Sequence, residues 1–87
     1  MQSVESEIRV RLTTLVHDIL AQNSITAAVA ADTLLVDIGL TSMDMVNLML
    51  GVEAEFDFTI PQEQITPENF QSVRTLERLV AEQLQVA

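Results

Sequence analysis

The chain has 87 residues, 48% of them hydrophobic, and its thirteen acids against four bases leave a net charge of −9. That is one small domain with enough apolar mass for a core, too hydrophobic for a disordered acidic tail and too negative to favour nucleic acid or an anionic membrane. With no Cys and a single His, disulfides, zinc–thiolate sites and cysteine nucleophiles are excluded, and neither a metal site nor a histidine-based triad is expected.

The whole chain, residues 1–87, is expected to fold as one domain. Three Phe and no Trp or Tyr make the core aliphatic, with four Met as adaptable filler. No secretory signal pattern opens the sequence and no apolar run reaches about 18 residues, so the expected location is the cytoplasm.

A first helix is expected over residues 3–22. Ile8, Leu12, Leu15 and Ile19 recur at i, i+4, i+7 and i+11, and Val16 and Leu20 widen that stripe. Ser3 suits its cap, and Glu5 and Glu7 suit the positive end of its dipole. Arg9, Arg11, His17 and Asp18 fall off the stripe. For His17 a solvated side chain is the expected state, since it has no His or Cys partner.

A long connection follows. Loops beyond about 12–15 residues in compact domains usually pack or do something, and this one is rich in Ala, Val, Leu and Ile. Leu35, Ile38 and Leu40 are its expected anchors, and residues 26–31 are expected to add a short turn of helix. Asp32 and Asp37 lack calcium-loop spacing and are taken for turn and solvent acids.

The second helix is expected over residues 42–56. Gly39 permits a sharp turn, Thr41 is positioned as N-cap, and Asp44 completes a [ST]-x-x-[DE] capping box. Ser42 then falls in the first turn with its hydroxyl unused, beside free N–H groups and a partial positive charge that suit a phosphate. Ser and Thr abound at helix starts, so by itself this serine is ordinarily no more than a good first-turn residue. Met45, Met49, Val52 and Phe56, flanked by Leu48 and Val46, are expected to face the core. Met43, Asn47, Leu50 and Ala54 share the opposite face, bordered by Gly51, Asp44 and Glu55. That face is either ordinary surface or a small docking patch for a basic partner.

Beyond it, Phe58-Thr59-Ile60 is expected to run extended into Pro61. Thr66-Pro67-Glu68-Asn69-Phe70 combines a cap, a Pro at N1 and a single helical turn, with Phe70 plugging the core. Ser72 caps a last helix over residues 73–86, whose inward stripe is Val73, Leu76, Val80 and Leu84 with Leu79 beside them. Pairs of Glu77 with Arg74 and Arg78 are expected to be solvated and worth little. The expected fold is all-α: three main helices, one short helix and a long first loop.

Enzymatic chemistry finds little support. Gly39-Leu40-Thr41-Ser42-Met43 lacks the second Gly of a nucleophile elbow, no strand precedes it, and two Gly cannot build a phosphate-binding loop. A binding module, or a carrier whose serine is another protein's substrate, remains.

Asp37-x-Gly39-Leu40-x-Ser42-Met43-Asp44 resembles the phosphopantetheine attachment motif of acyl carrier proteins. The likeness continues through Val46 to Phe56 with Asp57, Ile60-Pro61, Phe70-x-Ser72-Val73 and Leu76, nearly the whole chain. It implies an acyl-carrier-like bundle and a carrier, not a catalyst. A phosphopantetheinyl transferase, using Mg²⁺ and coenzyme A, would attach 4′-phosphopantetheine to Ser42. A loading ligase and downstream transferases or synthases would then use the arm's thiol to hold acyl or aminoacyl cargo as a thioester. Met43, Asp44, Asn47, Leu50 and Glu55 would form the docking surface, in a chain expected to be monomeric. Thr41 stands where many fatty-acid carriers have Asp, and Asn47 and Ala54 where they often have acids, so the docking face is less charged than theirs. The run Leu48-Met49-Leu50-Gly51-Val52-Glu53 and the entry Phe70-Gln71-Ser72-Val73 look more like dedicated aminoacyl or secondary-metabolite carriers, with fatty-acid synthesis as the alternative. The other reading is an unmodified acidic helical interaction module.

Overall fold

The structure, a computed structural model, describes residues 4–85. The expected cap Ser3, the Glu5 side chain and the helix end at Val86 lie outside the described residues. Three α-helices carry the fold: α1, Val4–Gln22; α2, Ser42–Phe56; and α3, Val73–Gln85. No strand occurs among the described residues, and none of their helices is long and apolar enough to cross a membrane. α1 packs against both α2 and α3, which touch each other far less.

The stripe expected on α1 is the one that is buried: Ile8, Leu12, Val16, Ile19 and Leu20 face the core, and Leu15 packs against its edge. α1 stops at a left-handed residue, Ser24, with φ 56°. The N–H of Ile25 reaches back to the Leu20 carbonyl at 2.8 Å and that of Ser24 to Ala21 at 3.1 Å, so the last carbonyls are satisfied without a glycine. α2 ends the same way, at Asp57 with φ 55°, where the Phe58 N–H meets the Glu53 carbonyl at 3.2 Å.

The first loop departs from expectation. Residues 26–31 form no helical turn. From Ile25 to Asp32 half-buried and exposed residues alternate, the period of an extended strap. Ile25, Thr26 and Val29 are β-branched and disfavour helix there. The strap is tied to the chain around the start of α3: the Arg74 N–H donates to the Ala31 carbonyl and the Leu35 N–H to the Gln71 carbonyl, each at 2.9 Å. A short 3₁₀ turn, Leu35–Ile38, follows, and Gly39 ends it at φ 105°. An added Cβ there would lie 3.0 Å from the tip of the Ile25 side chain, which would have to give slightly, so it is the left-handed conformation that disfavours larger residues. Leu35 and Leu40 are buried and Ile38 packs against the core, as anchors should.

After α2, buried Ile60 and half-buried Phe58 pin an irregular segment, and a second 3₁₀ turn occupies Gln62–Gln64. The short helix expected around Pro67 is a single hydrogen-bonded turn. Thr66 Oγ1 accepts from the Asn69 N–H at 3.2 Å, and Phe70 is buried as expected. The turn grows no further because Ser72 opens α3. Ser72 Oγ accepts from the Thr75 N–H at 3.3 Å while Thr75 Oγ1 accepts from the Ser72 N–H at 3.0 Å. Val73, Leu76, Leu79 and Val80 are buried, whereas Leu84 is 47% exposed beyond the reach of the bundle.

The ion pairs are not the local ones expected on α3. Glu77 receives both Nε and Nη2 of Arg9 across from α1, at 2.8 and 2.9 Å, and Arg74 pairs with Asp32 on the strap. Helices lying side by side bring a planar guanidinium onto a carboxylate in the two-pronged geometry that favours Arg. Asp32, expected to be a solvent acid, is therefore a tie between strap and helix.

Candidate functional site

The site begins with a turn and a cap. Buried Leu40 holds the chain after Gly39, and Thr41 then takes an extended conformation, φ −92° and ψ 176°, as N-cap of α2. The capping box forms in full: Thr41 Oγ1 accepts from the Asp44 N–H at 3.2 Å, and Asp44 Oδ2 accepts from the Thr41 N–H at 2.8 Å. With the cap made by its neighbours, Ser42 sits at the first helical position and is exposed. Its own N–H and that of Met43 precede the first intrahelical bond of α2, the one from Met45 to the Thr41 carbonyl.

Asp44 does not share the exposed face of Met43, Asn47 and Leu50. The residue is 8% exposed and its carboxylate is fully engaged, because the Thr41 hydroxyl donates to Oδ2 and the Asn23 amide donates to Oδ1, each at 3.0 Å. The Thr41 backbone N–H first, and then the Asn23 amide, hold the carboxyl below its ordinary value. A carboxylate that caps its own helix and faces the end of α1 cannot also greet a partner.

The same rotation moves the core stripe of α2. The buried line is Asp44, Leu48, Val52 and Phe56, at i, i+4, i+8 and i+12. Leu48, expected at the flank, is fully buried, while Met45 and Met49 are half-buried and Val46 is 48% exposed. The stripe is narrow because only α1 covers α2 closely. What α3 leaves uncovered is an apolar cleft of about 520 Å³, lined by Met45, Val46 and Met49 of α2, Val36 of the first 3₁₀ turn, and the chain from Ile65 to Gln71, with Ser42 in its wall. Nothing in the sequence announces it, since its lining comes from three separated segments. The i, i+4 pair of methionines was its one trace.

On the far side, Met43 (72% exposed), Asn47 and Leu50 (53% exposed) are displayed together with Ala54, as expected. Glu55 is exposed but not free: Arg11 of α1 donates to its carboxylate at 2.7 Å and lies over the Phe56 ring, 4.4 Å from its centre. This solvent-exposed pair comes from another helix, which a helix-by-helix reading could not foresee. His17 is exposed, as expected. Among the described residues no group of three or more His, Cys, Asp or Glu is placed to hold a metal.

Chemically the site offers a hydroxyl rather than a reaction centre. The arrangement fits a covalent phosphodiester: the hydroxyl is exposed, the adjoining backbone N–H groups favour negative charge, and the cleft beside it leaves room for a chain. This is the geometry of a carrier domain, a scaffold that presents a side chain for another protein to modify. The family described as "Phosphopantetheine attachment site" matches residues 10–82, and the chain belongs to it. It is thus a carrier protein that works through covalently bound 4′-phosphopantetheine and is not itself an enzyme.

Its relatives narrow the class. The chain is 66% identical over 87 residues to aminoacyl carrier protein 1 of Bradyrhizobium diazoefficiens, covering all of this chain and 97% of the relative. A Bradyrhizobium japonicum structure of a glycine:[carrier protein] ligase with its cognate carrier protein and an analogue of glycyl adenylate matches at 68% identity and a TM-score of 0.75, covering 86% of this chain and 97% of that one. A second, of the same ligase with glycylated carrier protein, matches at 69% identity and a TM-score of 0.72, over 83% of this chain and 97% of that one.

Proposed function

We propose that Ser42 bears the 4′-phosphopantetheine arm and that the cargo is an amino acid, loaded by a ligase of the carrier-protein type and passed on to a transferase or synthase. The observation that carries this reading is the exposed Ser42 hydroxyl at the first position of a helix whose cap is complete without it. In a phosphopantetheinyl transferase supplied with Mg²⁺ and coenzyme A, Ser42 Oγ attacks the phosphorus next to the pantetheine. The P–O bond to the nucleotide breaks, adenosine 3′,5′-bisphosphate leaves, and the serine proton goes to the transferase. The attached group supplies a terminal thiol, which this Cys-free chain otherwise lacks. Amino-acid cargo is supported by the two kinds of relative, one named an aminoacyl carrier protein and one crystallised with a glycine ligase.

Docking falls to Met43, Asn47 and Leu50, with Val46 at the cleft edge. Asp44 drops out, for its carboxylate is nearly buried and already bound, and Glu55 stays at the margin of the face, paired with Arg11 in solvent. A face with two exposed apolar side chains and little free charge favours a weak, largely apolar contact, which suits a shuttle that must leave each partner. Dependence on coenzyme A supports a cytoplasmic setting for this work.

The test is a mass measurement. Incubated with coenzyme A, Mg²⁺ and a broad-specificity phosphopantetheinyl transferase, the chain should gain one phosphopantetheine, and Ser42→Ala should gain none. No gain with several transferases would favour the unmodified interaction module. Gain by the Ser42→Ala variant would move the attachment elsewhere.

A further inference from the structure

One side chain joins the two helix ends that meet at the site. Asn23 stands just past α1, and both of its amide protons are placed. One goes at 3.2 Å to the Ile19 carbonyl, which also accepts from the Asn23 backbone N–H, and the other to Asp44 Oδ1 at 3.0 Å. The Asn23 backbone N–H donates to the Leu20 carbonyl at 3.0 Å, so the residue is held from both sides. Asp44 in turn holds the Thr41 N–H and hydroxyl, and Thr41 closes the box on the Asp44 N–H. Ser42 lies between these two residues, on the only turn of α2 that has no intrahelical bonds behind it.

We propose that Asn23 is a positioning residue for modification of Ser42: its amide locks the Asp44 carboxylate, and through it the first turn of α2, so that the Ser42 hydroxyl is presented in one orientation. This rests on the assignment of the arm to Ser42. The physical case is that of a nearly buried carboxylate with three donors. Two come from its own turn and would follow that turn wherever it moved. Only the Asn23 amide, 21 residues away in sequence, ties the carboxylate itself to another element of the bundle. Without it Asp44 retains its box but loses its fixed point, and a buried charge short of a donor draws the turn toward water. A group-transfer step that depends on near-attack geometry pays for such looseness in rate rather than in binding.

Asn23→Ala is the test, with transferase kinetics run on the full chain. The expected result is a fall of about tenfold in kcat for phosphopantetheine transfer, the scale of one hydrogen bond to a charged group, with KM nearly unchanged because Met43 and Leu50 are untouched. General destabilisation would act differently, raising apparent KM by lowering the folded fraction while leaving kcat alone. Circular dichroism and the urea midpoint measure that fraction directly. As a second readout, the Asp44 carboxyl, followed by NMR, should titrate at higher pH in Asn23→Ala than in the wild type. Asn23→Asp, which removes the donor and sets a second carboxylate against Asp44, should lower kcat at least as far. A kcat within about twofold of wild type, or an Asp44 titration that does not move, overturns the proposal. Wild-type chain that is never modified, or Ser42→Ala chain that still is, overturns the attachment assignment instead, so the two failures are separable.

Discussion

Two faces of α2 lie a few residues apart and are alike in composition, yet they do opposite things. Leu48, Val52 and Phe56 are buried against α1; Met43, Val46 and Leu50 are apolar too and stand 72%, 48% and 53% exposed. Residue chemistry does not separate them. What separates them is whether a neighbouring helix lies over that side, and α1 covers one side while α3 stays away from the other. A helix that is apolar nearly all round becomes amphipathic only once its surroundings are known. The uncovered side is then available for partners and for the cleft.

The sharpest way to break the comparison is to exchange the roles of the two leucines. Leu48→Ala should lower stability by about 2–5 kcal/mol, because the site is fully closed and leaves a cavity. That is a large share of the roughly 5–15 kcal/mol typical of a domain, and a urea denaturation curve should show a partly unfolded population before denaturant is added. The cap between the faces comes next: Thr41→Ala should cost about 1 kcal/mol, with faster amide exchange confined to the first turn of α2. Arg11→Ala should cost no more than about 1 kcal/mol, since the pair with Glu55 is solvent-exposed. Thermal melts that place Arg11→Ala below Thr41→Ala would reverse that ranking. Leu50→Glu should change stability least, within about 0.5 kcal/mol, yet lower kcat/KM for loading by the ligase. If Leu50→Glu unfolds the chain, the two faces have been wrongly divided.

Acid sharpens the same boundary. The Asp44 carboxyl lies below its ordinary value of 3.8 because of the Thr41 N–H and then the Asn23 amide. A folded-state pKa below the unfolded one means that ionised Asp44 stabilises the fold in full above pH 3.8, and that this contribution is lost as pH falls below it through the lowered folded value. Urea midpoints measured from about pH 5 down to about pH 2 should therefore fall less steeply for Asp44→Asn than for the wild type.

Much of the site is legible in the sequence because its grammar is local. Thr41 and Asp44 are three residues apart and cap one another, so the bounds of α2 and the outward placement of Ser42 follow from a spacing. The same holds for the Ser72 cap at the start of α3, and for the apolar stripe of α1. Helical spacing puts Asp44 at the border of the exposed face, and the resemblance adds it to the docking surface; the approach of α1 and the Asn23 amide turn it inward instead. Arg9 and Arg11 looked like idle surface charges and Glu77 looked paired along its own helix, because partners 68 and 44 residues away leave no periodic trace.

Periodicity, one capping box and the Ser72 cap were enough to determine an all-α bundle with an unused serine hydroxyl at the mouth of its second helix, since such features depend on residues a few positions apart. The tertiary structure alone decided which side of that helix stays open, which acids keep a free charge, where the apolar cleft beside the serine lies, and that Asn23 grips Asp44. Each of these depends on how separate segments approach in space, and burial and ion pairing are properties of that approach rather than of any residue in the chain.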